Sequence, residues 1–164
     1  MKLKKVFERK EKKYLMRQDQ FEAFFSELQN FMAVDEYGLH TIQSLYFDTK
    51  DYQFIKRSVE KPIYKEKFRI RSYGYADCDH TLYVEIKKKV NGIVYKRRLP
   101  LNYQEFMTWK LSQRFPACLT QNQIGQEIQW LFLLHPDLSP KVLISYDRLS
   151  LSDANDENFR VTFD

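Results

Sequence analysis

Apolar and polar positions follow two rhythms along this chain. From Ile63 to Tyr73 and Thr81 to Lys89 they alternate with period two, which predicts β-strands, and Thr41 to Phe47 (TIQSLYF) and Ile93 to Leu99 read as strands beside them. Val6–Met16, Val142–Leu151 and Phe159–Phe163 read as strands too. Phe21, Phe24, Phe25, Leu28, Phe31 and Met32 recur instead at helical spacing, as do Ile124, Ile128 and Leu131, so each set predicts a helix with one apolar face. Asp19 with Glu22, and Asn102 with Glu105, have the spacing of a capping box, the second opening a helix that carries Phe106 and Trp109. Asp48 and Thr49 offer capping oxygens to a short helix near Asp51–Ser58. His135-Pro136 ends a helix over about Gln121–Leu134, because the residue before proline is pushed out of the helical region. Asn91-Gly92 between two alternating runs predicts a two-residue type I′ hairpin. Strands joined as hairpins, with few helices, predict an α+β protein with an antiparallel β-barrel. There is no repeat, low-complexity tract or linker, so one domain is expected over residues 1–164.

Charge sharpens this picture. Most of the 27 Lys and Arg residues fall in three short segments, 1–17, 56–71 and 85–98, each containing predicted strand. On the third strand Lys65, Lys67, Arg69 and Arg71 share one face, opposite Tyr64, Phe68 and Ile70. Glu85, Lys87 and Lys89 oppose Leu82, Val84 and Ile86 on the next, and Lys96 and Arg98 are in phase on the one after. Arg9, Glu11 and Lys13 share a face of the first strand, Tyr146 and Arg148 of the sixth, and Arg160 and Thr162 of the seventh. For one strand the ordinary reading is a solvated outer face. Repetition over several strands, with apolar helices needing a sheet surface to cover, predicts that the charges line the inside. Two like charges about 8 Å apart repel by about 2 kcal/mol at an effective dielectric of about 20. A lumen of this kind therefore needs acids, water or a polyanion to offset it.

The net charge of +5 adds little alone, and 43% apolar with 16% aromatic residues excludes a disordered chain. No apolar run is long enough to span a bilayer. The opening MKLKKVFERKEKKY is charged where a leader would be apolar, and Cys78 and Cys118 form no disulfide framework, so a cytoplasmic setting is expected.

Six segments carry a resemblance: FERKEKKY, YKEKFRIRSYG, YVEIKKK, VYKRR, SYDRLSL and FRVTFD. Together they resemble the VTC domain, the polyphosphate polymerase domain of vacuolar transporter chaperone complexes and bacterial relatives, within the triphosphate tunnel metalloenzymes and their CYTH branch. The resemblance implies a tunnel barrel with helices outside. It implies transfer of the γ-phosphoryl group of ATP to a polyphosphate chain, with Mn or Mg as cofactor. ATP, tripolyphosphate or polyphosphate would be the partners, a membrane protein a further one, and no nucleic acid is expected. Carried over by motif, Lys13, Arg69, Arg71, Lys87, Lys96, Arg98, Tyr146, Arg148 and Arg160 would bind phosphate, with Lys67 in phase beside them. Of these Arg69, Arg71, Lys87 and Arg148 would act in catalysis, and Glu11 and Glu85 would be metal ligands. Arg9 stands where the CYTH branch has a first glutamate, and further strands carrying a metal-binding Glu and a late Lys pair are expected beyond Asp164.

Three other readings stay open. A non-catalytic polyphosphate or nucleotide sensor would bind without turnover, and a triphosphate hydrolase would release orthophosphate. RNA binding through interleaved aromatics (Tyr64, Phe68, Tyr73, Tyr83, Tyr95) is the weakest, since no RNP-type motif is present. His40, His80 and His135 lack metal spacing, and Cys78 and the acidic Asp153–Glu157 loop read as ordinary surface.

Overall fold

The structure, a computed structural model, describes residues 12–60, 62–153, 155–156 and 158–164. In chain order the elements are α1 (Gln18–Leu28), β1 (Met32–Val34), β2 (His40–Asp48), α2 (Gln53–Val59), β3 (Tyr64–Tyr73), β4 (Thr81–Val90), β5 (Ile93–Asn102), α3 (Tyr103–Ser112), α4 (Ala117–Thr120), α5 (Gln123–Leu134), β6 (Ser139–Asp153) and β7 (Arg160–Phe163). The strands form one antiparallel sheet in the order β1-β6-β2-β3-β4-β5, with β7 also on β6. The sheet curls into a half-barrel with helices packed outside, which is the expected α+β class.

Register explains the two faces, because residues directly opposite in an antiparallel ladder point the same way. Phe68 pairs with Phe47 and Ile86, Ile70 with Leu45 and Val84, and Leu101 with Leu82. These side chains form the apolar convex face. Phe54 of α2, Trp109 of α3, Leu119 of α4 and Ile128 and Leu131 of α5 cover it in one continuous core. Phe47, Phe68, Trp109, Phe115 and Phe132 meet there mostly edge to face. Burying one such aromatic ring contributes up to about 3 kcal/mol.

Several local predictions hold in detail. The buried Asp48 carboxylate accepts from the backbone N–H groups of Phe54 (2.9 Å) and Ile55 (3.0 Å), and Thr49 Oγ1 accepts from Gln53 N (3.0 Å). These are free donors of the first turn of α2. Asn102 and Glu105 form their capping box on α3. Asn91 (φ 47°) and Gly92 (φ 85°) both take the left-handed region that a type I′ turn requires.

Other expectations are corrected. The first helix starts at Gln18 with Arg17, two residues before Asp19, as its N-cap: Arg17 N–H donates to Gln20 Oε1 (2.9 Å) and the Arg17 guanidinium holds Asp19. Glu22 instead accepts from Gln18 Nε2 (3.0 Å). That helix stops at Leu28, and Met32 enters β1, where it pairs with Asp153. Phe21, Phe24 and Phe25 pack around Phe163 of β7, so the aromatic face has its partner. Of the predicted first strand, residues 12–16 form no strand and the rest lies outside the described residues. No helix of the described residues is long and apolar enough to cross a membrane.

Candidate functional site

Polar side chains on the concave face are arranged in rows fixed by the register. One row is Lys67, Lys87 and Lys96, across β3, β4 and β5. The next is Tyr46, Arg69, Glu85 and Arg98, and the one after is Ser44, Arg71 and Tyr83. Beyond them Tyr73 and Tyr146 flank Ile42, and His40 stands opposite Arg148. Lys65 and Lys89 begin the series at the other end. The face therefore runs from lysines, through an arginine belt, to tyrosine and histidine.

Glu85 is the anchor of the belt. It is 2% exposed. Arg69 Nε donates to its Oε2 at 2.7 Å, and Arg69 Nη2 lies 2.6 Å from the same oxygen. Arg69 Nη1 also donates to the Tyr46 hydroxyl at 2.8 Å. Lys96 Nζ stands 3.4 Å from Oε1, within ion-pair range, but Oε1 receives no hydrogen bond. Burial alone would push the Glu85 carboxyl up, yet Arg69, Lys96 and Arg71 hold it below the usual glutamate value. Burial likewise opposes the Arg69 charge, and Glu85 and Tyr46 more than reverse this. Arg71 is only 7% exposed and donates from Nε to Ser44 Oγ at 3.2 Å.

Tyrosines accompany the arginines. The guanidinium of Arg69 lies over Tyr46, Arg71 over Tyr73, Arg98 over Tyr83 and Arg148 over Tyr146, at 4.9–5.9 Å from the ring centres. Each contact orients an arginine on a rigid ring and leaves N–H edges for a ligand.

Most of the sequence-predicted residues come together here. Lys67, Arg69, Arg71, Glu85, Lys87, Lys96, Arg98, Tyr146 and Arg148 share the concave face. Arg148 is engaged by Asp164 through two bonds of 2.5 and 2.7 Å, which raise its pKa above the ordinary arginine value. Arg160 sits apart, exposed at the β7 end beside a cavity. Lys13 is exposed in the irregular segment before α1, and Glu11 lies outside the described residues.

The sequence reading missed Ser44 and Tyr46, which hold Arg71 and Arg69 in place. Their signal was present, since both alternate with Leu45 and Phe47 in β2. Tyr73 and Tyr83, two of the interleaved aromatics, share the arginine face. Lys88 and Arg97 face outward instead and clamp Glu127 of α5, with Lys88 Nζ 2.7 Å from its Oε1.

A divalent cation takes about six oxygen ligands. On the concave face of β3, β4 and β5, Glu85 is the only carboxylate, and arginine and lysine already face it. No three His, Cys, Asp or Glu side chains gather into a metal-holding group among the described residues. This donor set does not fit a resident Mn or Mg, and no chemical step is assigned to one. What the face can do is grip a chain of anionic oxygens, with bidentate arginines fixing geometry and lysines adding mobile charge.

Comparisons with known proteins agree with this geometry. The family model of the VTC domain matches residues 8–164. No curated protein matches the chain in sequence. Among solved structures, a Bacillus halodurans protein provisionally assigned as an adenylate cyclase superposes with a TM-score of 0.57 at 18% identity, covering 85% of this chain and 68% of that one. At that identity the likeness is one of fold, and the shared fold is the triphosphate tunnel. The chain belongs to the VTC domain family, among the triphosphate-tunnel domains that bind nucleotides or polyphosphate.

Proposed function

We propose that this domain binds ATP and polyphosphate along its concave face and transfers the γ-phosphoryl group of ATP to the end of a polyphosphate chain. The observation that carries this reading is the convergence of Lys67, Arg69, Arg71, Lys87, Lys96 and Arg98 on one concave face, in adjoining registered rows. Phosphoryl transfer asks the protein mainly for positioning and for charge stabilisation of the equatorial oxygens. Arg69 and Arg71 suit that task. Both are fixed by hydrogen bonds to β2 side chains, so they need little reorganisation as charge develops. Lys67, Lys87 and Lys96 would hold the adjoining phosphates, and Arg148 would engage an anion that displaces Asp164.

Triphosphate-tunnel proteins generally use divalent metals. With no cage among the described residues, such an ion belongs with the incoming triphosphate. The same observation favours a second reading, a sensor that binds polyphosphate or nucleotide without turnover.

The test incubates the chain with ATP and Mn or Mg and separates the products. Growth of polyphosphate supports the polymerase reading, and orthophosphate release without growth indicates a hydrolase. Tripolyphosphate binding without either product indicates the sensor. Absence of tripolyphosphate binding by calorimetry overturns the whole assignment.

A further inference from the structure

The end of the sheet where β4 turns into β5 is apolar on both faces. Register places Tyr64, Val90 and Ile93 in one row of the outer face, and Val94 beside Lys89 on the concave face. Ile93 is 56% and Val94 49% exposed, and Ile63, Tyr64 and Tyr95 are exposed with them. Asn91 N–H donates to the Ile63 carbonyl at 3.1 Å, which joins the start of β3 to this turn. The ties of α5 to the sheet reach Lys88 and Arg97, in the two outer rows behind the tip.

Cations follow the apolar tip at once. Residues 87–98 contain six Lys and Arg and no carboxylate. Lys89 stands opposite Val94, Lys88 opposite Tyr95 and Lys87 opposite Lys96, in successive pairs behind the turn. Glu66 and Glu127 offset only the outer Lys88 and Arg97. The Lys87–Lys96 pair lies about 10 Å behind the Val90–Ile93 pair at the usual rise of a strand. An amphipathic element enters the boundary of headgroups and acyl chains to about that depth. Lysine stems can follow an apolar tip to that boundary with their ammonium groups in water, and tyrosines settle at the same level. Shape separates a bilayer from a protein partner. Ile93 and Val94 point to opposite faces of the ribbon, so a partner lying on one face would cover only one of them. A bilayer takes the tip end-on and covers both.

We infer that the tip of the β4–β5 hairpin docks on an anionic lipid surface, with Ile93, Val94 and Tyr95 entering the interface and the lysines behind them held by the headgroups. Neither part suffices alone, because the apolar area is small and the charge is screened by salt. Docking therefore requires the apolar tip and the cations together. The inference stands beside the proposed phosphoryl transfer and does not depend on it.

The test is sedimentation of the chain with vesicles of phosphatidylcholine, alone or with about 30% phosphatidylserine. The unaltered chain is expected to bind only the second kind and to be released at about 0.5 M salt. The double variant Ile93→Ser with Val94→Ser should bind them about ten-fold more weakly. Its unfolding midpoint should stay that of the parent, since both side chains are exposed. Ile93→Trp should keep binding, and lipids brominated on their acyl chains should quench its fluorescence beyond that of the parent. Equal binding by parent and double variant, or no added quenching in Ile93→Trp, overturns the inference. So does vesicle binding that soluble tripolyphosphate abolishes in parent and double variant alike, which would place the headgroups in the anion site instead. Failure of the parent to bind the anionic vesicles also overturns it, and leaves the tip to an acidic protein partner.

Discussion

Arg69 and Glu85 stand directly opposite each other in the β3–β4 ladder, and the guanidinium covers a carboxylate that is almost wholly withdrawn from solvent. This pair links folding to ligand binding. Arg69→Ala removes a proposed phosphate ligand and also strips a buried carboxylate of its main counter-charge. It is expected to destabilise the fold by about 3 kcal/mol. Urea denaturation beside a binding assay should show both losses, and a variant as stable as the parent would contradict the pairing.

Arg71→Ala should separate the two effects. Arg71 bonds to the neutral Ser44 hydroxyl, so its removal leaves no buried charge in direct contact unpaired. The expected loss is about 2–3 kcal/mol of tripolyphosphate affinity, roughly 30- to 150-fold. The unfolding midpoint should change far less than in Arg69→Ala.

The pH dependence of stability follows from Glu85. Its carboxyl is held below the ordinary value, so the folded state binds its proton less readily than the unfolded chain. That contribution is complete above about pH 5 and is lost as pH falls through the depressed folded value. Denaturation of the parent and of Glu85→Gln between about pH 3 and 7 should show the parent losing its advantage at the acid end, with a flatter profile for the variant. Parallel profiles would rule Glu85 out as the source.

A control comes from the outer face. Glu127→Ala breaks the ties of α5 to Lys88 and Arg97 on the side away from the cationic rows. These groups are partly exposed, so the loss should be about 1 kcal/mol. Tripolyphosphate affinity should be unchanged.

Gly125 tests the helical layer. A Cβ at this position would lie 1.8 Å from the Leu119 carbonyl oxygen. Gly125→Ala must therefore push α4 and α5 apart, at an expected cost of about 2–3 kcal/mol read from thermal or urea unfolding.

The faces of β3, β4 and β5 were legible because alternation is a local property: Lys67, Arg69 and Arg71 declare their common side within five residues. The Asn91-Gly92 turn then ties two of these strands in a known register. The common side of Ser44 and Tyr46 was legible in the same way, but the arginines they hold were not, since those pairings join them to a strand more than twenty residues away. The end of α1 was misread because Phe31 and Met32 continue its spacing, while the ladder of Met32 with Asp153 takes that segment into the sheet. The Arg148–Asp164 bond was likewise invisible, because it depends on β7 lying beside β6.

That last bond sets a threshold for what the far wall can recognise. An incoming anion gains the Nε–Nη2 edge of Arg148 only by evicting the carboxylate that already holds it through two bonds. A singly charged competitor has little advantage over the resident group, whereas a longer, multiply charged ligand anchored first on Arg69 and Arg71 arrives at high effective concentration. The wall is thereby biased toward ligands long enough to hold on elsewhere while the exchange takes place.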